Sequence, residues 1–474
     1  MKFLLVRPQI TLKVAQRLRA FLHLEPLSLE IVAGGIDRAH ETRILDLASS
    51  NHPDREYARV LADFRPDAIG FTGYSNQART VKSLAAKAKE VLPSVTIMVG
   101  GAHATVAPED FKVPGIIDLV VRGEGGSVMP RLVQRLERAE PLPEDGAFLP
   151  TVSASFDEQA RTRPPELPQY DDVPAARRDL VDRSRYFCIW HGGPKERLPR
   201  LFPQTAALRT SVGCPRRCSF CVVHYLANGK YRQRTPEAVV EEIASVPEDH
   251  IYFVDDEMFI NAKRCEDIAR LLIERDIRKK YVSWARADTI CAHPGLFELW
   301  KEAGLSLLYV GLESMDAGVL EDYNKGVDPD TNRRAVEILR ELGIGLHAAL
   351  MVKPEFSHGD FMTLRETIDA VAPAEVSFTV FSPPPGTPLW KQHRDRFICP
   401  DPYSFYDCMH TLLPTQMPLK KFYGQFALLY LLGVRNNPWR RNKVKVPWRD
   451  FLRFMYRGAL YGLALRRIYR DYGG

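Results

Sequence analysis

The sequence lacks the features that would place this chain in a membrane or in an oxidising compartment. No apolar run among its 474 residues reaches the length of about 18 that crosses a bilayer. The opening segment arrives at Arg7 and Pro8 before it is long enough for the apolar core of a secretory signal. The eight cysteines are too few and too unevenly spaced for a disulfide framework. We therefore expect a cytoplasmic protein.

A Gly-x-Gly-x-x-Gly fingerprint is also missing after the first predicted strand, which argues against dinucleotide binding. The composition, with 45% hydrophobic and 26% charged residues, is typical of globular proteins. The net charge of +6 is unevenly spread, because residues 435–474 hold eleven Lys or Arg and only two Asp. A basic tail on a nearly neutral body indicates an anionic partner for that tail.

Residues 1–137 alternate short apolar runs with helical patterns. This alternation predicts a doubly wound parallel sheet, in which ligands bind beyond the carboxyl ends of the strands. Several of the predicted strand ends carry glycines, which allow a large ligand to approach the backbone. The predicted strands cover 3–6, 43–47, 67–73, 96–101 and 117–123.

Three further regions follow. Residues 138–200 contain seven prolines between Pro141 and Pro174 and are predicted to be a linker. Residues 201–400 contain six strand-and-helix repeats, which predict a partial (β/α)6 barrel, since a complete barrel of this type has eight. Residues 401–474 lose the strand pattern and are expected to form a small, basic, helical region.

The strongest chemical signal is a cluster of three cysteines after the first barrel strand. Cys214, Cys218 and Cys221 have the spacing Cys-x3-Cys-x2-Cys. Thiolates hold iron–sulfur clusters, and three ligands leave one iron of a 4Fe–4S cluster open to a small chelating ligand. A zinc site is the alternative, with His224 as the fourth ligand that tetrahedral zinc requires.

This cluster, with Phe220 inside it, resembles the signature of radical S-adenosylmethionine enzymes. The resemblance covers about residues 201–390 and implies a 4Fe–4S cluster bound by the three cysteines. In that family the open iron chelates S-adenosylmethionine. An electron from the cluster then cleaves it to methionine and a 5′-deoxyadenosyl radical.

Later positions match the same family. Asp256 and Glu257 follow the second barrel strand, where the family places groups for the methionine amine, and carboxylates suit an ammonium ion. Ser283 and Arg286 stand where related enzymes contact the ribose or the carboxylate, and Glu313 corresponds to a residue facing the adenosyl pocket. The alternatives are that the acidic residues only solvate a loop and that Arg286 forms a surface ion pair.

Placed before such a barrel, residues 1–137 resemble a cobalamin-binding domain. The motif Asp-x-His-x-x-Gly, whose histidine ligates cobalt in many such domains, is absent. We therefore expect cobalamin without a histidine ligand and with Tyr74, Ser75 or Gln77 near its lower face. The alternative for Tyr74 is that its ring only packs within the loop. His103 is expected to form a hydrogen bond with the corrin edge or to cap a loop. The residues expected at the cobalamin are Tyr74, Ser75, Gly100, Gly101, His103, Gly123 and Glu124.

The resemblance implies a cobalamin-dependent radical S-adenosylmethionine methyltransferase that acts on an unactivated carbon. Segments 21–30 and 412–423 resemble the hopanoid C-3 methylases of this family, which implies a polycyclic lipid substrate. An electron donor such as a ferredoxin or flavodoxin is implied as well. The alternatives are a rearrangement or cyclisation without methyl transfer, an RNA-modifying radical enzyme, and a non-enzymatic cobalamin or redox sensor.

Basic and aromatic residues interleave in the tail. Such a pattern suits an anionic membrane surface, a terminal helical pair packed on the barrel, or RNA. We expect peripheral contact with the inner membrane surface in preference to nucleic acid. The tail residues are Trp439, Arg440, Arg441, Lys443, Lys445, Trp448, Arg449, Phe451, Arg453, Phe454, Tyr456, Arg457, Tyr461, Arg466, Arg467, Tyr469 and Arg470.

Overall fold

The structure is a computed structural model that describes residues 1–164, 170–190, 197–433 and 444–473. It is built around two six-stranded sheets. The strands of the described residues are β1 (Lys2–Arg7), β2 (Leu22–His23), β3 (Glu41–Asp46), β4 (Ala68–Thr72), β5 (Thr96–Gly100), β6 (Leu119–Val121), β7 (Phe148–Pro150), β8 (Phe187–Cys188), β9 (Ala206–Leu208), β10 (Ser211–Val212), β11 (Arg232–Gln233), β12 (His250–Phe253), β13 (Lys280–Ala285), β14 (Leu305–Glu313), β15 (Gly345–Val352) and β16 (Glu375–Val380).

Helices cover both sheets. Those of the described residues are α1 (Lys13–Leu18), α2 (Leu27–Gly34), α3 (Pro53–Phe64), α4 (Ala78–Val91), α5 (Ala102–Val106), α6 (Gly125–Glu137), α7 (Phe156–Ala160), α8 (Val223–Leu226), α9 (Pro236–Ser245), α10 (Ala262–Glu274), α11 (Ala287–Ala292), α12 (Pro294–Ala303), α13 (Ala317–Asp322), α14 (Pro329–Glu341), α15 (His358–Val371), α16 (Pro388–His393), α17 (Leu419–Gly433) and α18 (Trp448–Arg467).

The first sheet has the order β3-β1-β4-β5-β6-β7. Its first five strands are parallel, as predicted for a doubly wound sheet. The central strand β1 is a continuous apolar run from Phe3 to Val6 that is buried on both faces, as strands covered by helices on two sides require. The chain reverses its direction of winding between β1 and β4, so the ligand crevice is expected beyond the ends of these two strands.

The predicted linker 138–200 contributes to this architecture. Within it, β7 pairs antiparallel with β6 and completes the first sheet, and Phe156 of α7 is buried in the same core. Farther along, β8 pairs antiparallel with β2. The proline content concealed these short strands, because the apolar run Phe148–Pro150 ends on a proline that an edge strand tolerates.

The second sheet confirms the partial barrel. Its order is β16-β15-β14-β13-β12-β9, all neighbours are parallel, and β9 and β16 form its two edges. Helices α9 to α15 pack on the outer face around Trp300, whose ring contacts Phe253 and Tyr281 edge-on. The carboxyl ends of the six strands form the mouth of the barrel, where an active site is expected.

The C-terminal region contains α17 and α18, whereas residues 401–418 form no helix. Helix α17 packs on the barrel through Phe422, Tyr423 and Phe426, which are buried. Within the described ranges, no helix combines the length and the apolar character that a membrane span needs. Four of the predicted tail residues, Trp439, Arg440, Arg441 and Lys443, lie outside the described residues.

A buried ion network joins the two sheets. Arg178 pairs with Glu25, which precedes α2, and its Nη2 lies 2.7 Å from a carboxylate oxygen of Glu242 on α9. The same nitrogen donates to the carbonyl of Ala207 on β9 at 2.8 Å, while the Ala207 amide donates to Glu25 at 2.8 Å. Glu30, fully buried on α2, is 3.6 Å from the guanidinium. Arg183 adds a second link, because it pairs with both Glu25 and Glu248, which precedes β12. Arg178 and Arg183 therefore hold the first domain against the barrel.

Replacing Arg178 tests this role. In Arg178→Ala the buried Glu25 carboxylate loses its nearest guanidinium and keeps that of Arg183 at 3.3 Å, so the free energy of unfolding should fall by about 3 kcal/mol. Urea unfolding followed by circular dichroism measures the change. Arg334→Ala is the matched control, because its guanidinium is 54% exposed and pairs with Glu337 on the surface. A loss under about 1 kcal/mol is expected there, and equal losses in both variants would contradict the role assigned to Arg178.

His410 ties the end of the chain to the loop before α17. Its ring nitrogens lie 2.9 Å from Asp407 and 3.1 Å from Asp471. Burial alone would lower the pKa of His410, but these two carboxylates raise it to about 9. Because the folded pKa is above the unfolded value of about 6.5, the stabilisation is complete below pH 6.5 and disappears as the pH rises through 9.

His410→Gln should therefore be less stable than the natural chain by about 3 kcal/mol at pH 6, with the difference shrinking toward zero near pH 10. Urea unfolding at both pH values measures the difference. His293→Gln, which removes an exposed histidine, should show no such trend. If the difference in the free energy of unfolding between His410→Gln and the natural chain does not change with pH, His410 is not protonated in this contact.

Candidate functional site

The two domains meet through the carboxyl ends of their sheets. Helix α5, which follows β5, contacts α8, which follows the cysteine loop of the barrel. At the same edge Glu124 of the first domain forms a 2.6 Å ion pair with Arg209, directly after β9. Gly386, in the loop after β16, lies so close to α5 that a Cβ there would be 2.4 Å from the carbonyl oxygen of Val106. The predicted ligand-binding edges therefore enclose one cleft.

The three cysteines lie on one loop between β10 and α8, and all are free thiols. Burial raises the pKa of Cys214, and it raises that of Cys221 to about 11. Arg286 directs one Nη toward the sulfur of Cys218 at 3.8 Å. In the described part of the chain, no three His, Cys, Asp or Glu side chains converge closely enough to hold one ion in this structure. The fit of the loop to a cluster therefore rests on its donor chemistry, which is three partly or fully buried thiols beside one guanidinium.

His224, the fourth ligand in the zinc alternative, lies on α8. Its ring packs against Gly229, where a Cβ would be 2.4 Å from the imidazole. Its Nδ1 has no hydrogen-bond partner. The ring contacts Tyr225 edge-on at 5.6 Å. The structure does not gather His224 and the thiols into one ligand group.

Two of the three consecutive carboxylates after β12 hold the cysteine loop. Asp255 accepts from the amide and, at 2.7 Å, from the hydroxyl of Thr210, and also from the hydroxyl of Ser211. Asp256 accepts from the amide of Gly213 at 2.8 Å. Asp256 was predicted to meet the methionine amine, whereas the structure engages it with the backbone one residue before Cys214. The anchoring role of Asp255 was missed, because its partners are about 45 residues away in sequence.

The third carboxylate, Glu257, is different. It is 3% exposed, and one carboxylate oxygen has no hydrogen-bond partner. Burial raises the pKa of Glu257 to about 8, although Arg286 opposes this shift. A buried carboxylate with an unused acceptor gains most from a cationic ligand, because the ligand removes its desolvation cost. Glu257 therefore has the chemistry expected of the ammonium-binding group.

Lys325 brings three of the predicted residues together. Its ammonium group is 3.0 Å from Glu313 and lies over the ring of Phe220 at 5.6 Å. Its carbonyl accepts from Arg286 at 2.7 Å. Sequence reasoning missed Lys325, since it follows α13 outside any motif. Ser283 is fully buried on β13, and its hydroxyl donates to the sulfur of Met258 at 3.4 Å.

In the first domain, Tyr74 and Ser75 follow β4 at the cleft. Tyr74 is 72% exposed, so it is free to contact a ligand and is not a packed loop aromatic. Ser75 is bonded to Nδ1 of His103 at 3.0 Å, and Nε2 of His103 is 3.1 Å from Asp110. Both ring nitrogens of this buried histidine have protein partners, so His103 fixes the loop that carries Tyr74. Gln77 is likewise engaged, donating to the carbonyl of Pro8 at 2.9 Å.

The predicted glycines lie on two neighbouring loops. Gly101, directly after Gly100 at the end of β5, has φ +94°, and a Cβ there would be 2.7 Å from the hydroxyl of Thr72. The amide of Gly123 donates to the hydroxyl of Thr105 on α5 at 3.0 Å. Gly101 is therefore needed for the close approach of the loops that follow β4 and β5.

An aromatic stack inside the barrel was not anticipated. The rings of Trp284 and Tyr309 are stacked with centroids 4.2 Å apart, and Tyr309 stacks on His347 at 3.5 Å. His347 pairs through Nδ1 with Glu375, and its Nε2 has no hydrogen-bond partner. Trp284, Tyr309 and His347 are paired in register across β13, β14 and β15, so their side chains lie together on the interior face of the sheet. The strands were visible in the sequence, but the strand neighbours that bring these residues together were not.

Comparison with known proteins agrees with this geometry. The model of the Radical SAM superfamily matches residues 208–368, and that of the B12 binding domain matches residues 18–133. The chain is 33% identical over 414 residues to the hopanoid C-3 methylase of Methylococcus capsulatus, covering 86% of this chain and 76% of the methylase.

Two further similarities are informative. The anaerobic magnesium-protoporphyrin IX monomethyl ester cyclase of Synechocystis is 25% identical over 423 residues, covering 86% of this chain and 81% of the cyclase. The structure of the radical S-adenosylmethionine methyltransferase TsrM from Kitasatospora setae, with cobalamin and a [4Fe-4S] cluster bound, superposes with a TM-score of 0.64. That match has 15% identity and covers 99% of both chains, so it shows the same fold over the whole length.

Glu257→Gln tests the assignment of the ammonium-binding group. Losing the charge should weaken the binding of S-adenosylmethionine about 10- to 100-fold, the worth of one charge-assisted hydrogen bond, while the iron content stays unchanged. Equilibrium dialysis and iron analysis of anaerobically reconstituted protein give both quantities. Glu366→Gln, at an exposed position of α15, is the matched control. Unchanged affinity in Glu257→Gln would refute the assignment.

Proposed function

The chain belongs to the cobalamin-binding radical S-adenosylmethionine enzymes, and from this premise we propose that it methylates an unactivated carbon of a polycyclic lipid. The observation that carries the proposal is its 33% identity to a hopanoid C-3 methylase over 86% of the chain. In this chain the B12-binding match at 18–133 precedes the Radical SAM match at 208–368.

The residues on the two sides of the cleft suit the cofactors of this family. Cys214, Cys218 and Cys221 would hold a 4Fe–4S cluster, and the loops around Tyr74 and Gly101 would receive cobalamin. When bound, the cluster supplies the electron that cleaves S-adenosylmethionine, and cobalamin supplies the methyl group. The protein holds the cluster loop through Asp255 and Asp256.

Around this centre the side chains bind and orient. Glu257 would accept the methionine ammonium group, and Arg286 would direct its charge to the carboxylate, because a guanidinium forks to two oxygens. Arg286 is itself held by Asp288 at 2.9 Å. The domain interface closes over the barrel mouth, which keeps water from a reactive carbon.

The barrel interior supports a large apolar substrate. The flat faces of Trp284 and Tyr309 would contact rings, and the unpaired Nε2 of His347 would meet a polar group at one end of the molecule. The contact with a membrane surface proposed for the tail has its support in α18, where only Tyr461 and Leu465 of twenty residues are buried. A ferredoxin or flavodoxin is the proposed electron donor.

A second candidate keeps both cofactors and forms or rearranges bonds without donating methyl. The observation in its favour is the 25% identity to a magnesium-protoporphyrin IX monomethyl ester cyclase, which extends over 86% of this chain. The two functions differ in their by-products. Methyl transfer yields S-adenosylhomocysteine in addition to 5′-deoxyadenosine, whereas cyclisation yields only the latter.

The test is anaerobic reconstitution with iron, sulfide and cobalamin, followed by S-adenosylmethionine, a reductant and a lipid extract. Mass spectrometry should find both nucleoside by-products and a lipid that has gained one methyl group. The Cys218→Ser variant should form no 5′-deoxyadenosine, because the cluster has lost one of its three ligands. Cys291→Ser, which changes a thiol on α11, should still form this product. Formation of 5′-deoxyadenosine without S-adenosylhomocysteine would favour the second candidate. If neither product forms, both candidate functions are contradicted.

A further inference from the structure

A large basic cavity lies outside the cofactor cleft. Its volume is about 1200 Å³, it is largely open to solvent, and its lining comes from α1, the loop before α3, α3 itself, the strand β8 and helix α18. Among its lining residues Glu56 is the one carboxylate. We call it the arginine pocket after the seven arginines that line it, which are Arg19, Arg55, Arg59, Arg185, Arg200, Arg453 and Arg457.

The guanidinium charges in this pocket outnumber the carboxylates near them in the described part of the chain, which are Glu56 in the lining, Asp182 beside Arg185, Asp46 near Arg19 and Asp450 near Arg457. Among the described residues, one of these seven arginines forms a salt bridge with a carboxylate. It is Arg185, which lies 3.2 Å from Asp182. Arg19 has a buried Nε without a hydrogen-bond partner. Burial lowers the pKa of Arg19 and of Arg457, and the neighbouring charge of Arg453 lowers that of Arg457 further. Like charges brought together this way favour the binding of a multivalent anion.

The neutral side chains of the pocket are also suited to an oxyanion. Ser50 and Asn51 line its wall and can donate hydrogen bonds, whereas the hydroxyl of Ser49 already donates to the carbonyl of Asp46 at 2.9 Å. Arg457 is fixed by a hydrogen bond to the carbonyl of Ala20 and by stacking over the ring of Phe202 at 4.7 Å. Arg457 is therefore held in place in a pocket of guanidinium groups, whose forked donors match the oxygens of a phosphate.

Helix α18 links this pocket to an exposed apolar surface. Its packed side holds Tyr461 and Leu465. Residues on the side away from them are exposed, with Trp448 at 68% and Leu452 at 56%. Arg453 projects between this apolar side and the pocket. The exposed apolar face of α18 consists of Trp448, Phe451, Leu452, Met455, Tyr456 and Leu463.

We propose that the arginine pocket binds the phosphate of an anionic phospholipid headgroup while the apolar face of α18 enters the adjoining acyl boundary. Aromatic and aliphatic side chains beside arginines match such a surface in both polarity and charge. The aliphatic Leu452 and Met455 would add nothing to base stacking, which disfavours RNA. This inference deepens the proposed function and rests on it for the lipid nature of the surface.

Vesicle sedimentation with the full chain tests the inference. Wild-type protein should bind phosphatidylcholine vesicles that contain phosphatidylglycerol and bind pure phosphatidylcholine weakly. Arg200→Ala/Arg453→Ala should bind the anionic vesicles about 30-fold more weakly, since each basic residue near the surface contributes about a fivefold gain in affinity. Arg138→Ala/Arg161→Ala removes two exposed charges elsewhere and should bind like wild type. Trp448→Ser/Leu452→Ser should weaken binding to both vesicles.

Several outcomes would overturn the inference. Equal binding of the two vesicle types, or no effect of Arg200→Ala/Arg453→Ala, removes the pocket from the interaction. Protection from heat by inorganic phosphate without vesicle binding would assign the pocket to a free anion, and preferential binding of RNA would assign the tail to nucleic acid.

Methylation of a detergent-dispersed lipid separates this inference from the proposed function. If the arginine variant methylates dispersed lipid normally but fails on vesicles, the pocket acts in docking. If wild type binds anionic vesicles yet methylates no lipid, the proposed function alone is wrong. If wild type methylates lipid but ignores anionic vesicles, the inference alone is wrong.

Discussion

The structure depends on a guanidinium buried between carboxylates. Arg178 belongs to a stretch without regular sheet structure, yet it contacts Glu25 and Glu30 of the first domain and Glu242 of the barrel. Neither domain could bury these carboxylates alone without a large desolvation cost. The compensation requires both domains in one arrangement. The placement of the two sets of strand ends relative to each other is thus supported by ion pairs outside the cysteine loop.

The strands and the cysteine loop could be predicted because their signals are local. The run Phe3–Val6 and the spacing of Cys214, Cys218 and Cys221 need no knowledge of distant residues. What could not be predicted depends on pairs far apart in the chain. Strand β7 exists because β6 offers an edge, Lys325 meets Glu313 across a loop, and the stack of Tyr309 on His347 requires that β14 and β15 be neighbours.

The three consecutive carboxylates after β12 show how position divides similar side chains. The carboxylates of Asp255 and Asp256 accept hydrogen bonds from backbone amides and hydroxyls of residues 210–213. They therefore determine where the loop lies. Glu257 extends one methylene farther and keeps an acceptor unused. The resemblance assigned Asp256 and Glu257 one shared role, and hydrogen-bond satisfaction separates them. An unsatisfied buried carboxylate is costly, and proteins retain such groups where a ligand compensates.

The hydrogen bond from Arg457 to the carbonyl of Ala20 joins positions that are 437 residues apart. On the ribosome, the segment around residue 20 is made long before its partner exists. The surface of the first domain beside α1 therefore stays exposed to solvent until α18 has been synthesised. Contacts of such long separation also form late and add little to the speed of folding. Shortened products of interrupted synthesis would expose that surface and present it to chaperones and proteases.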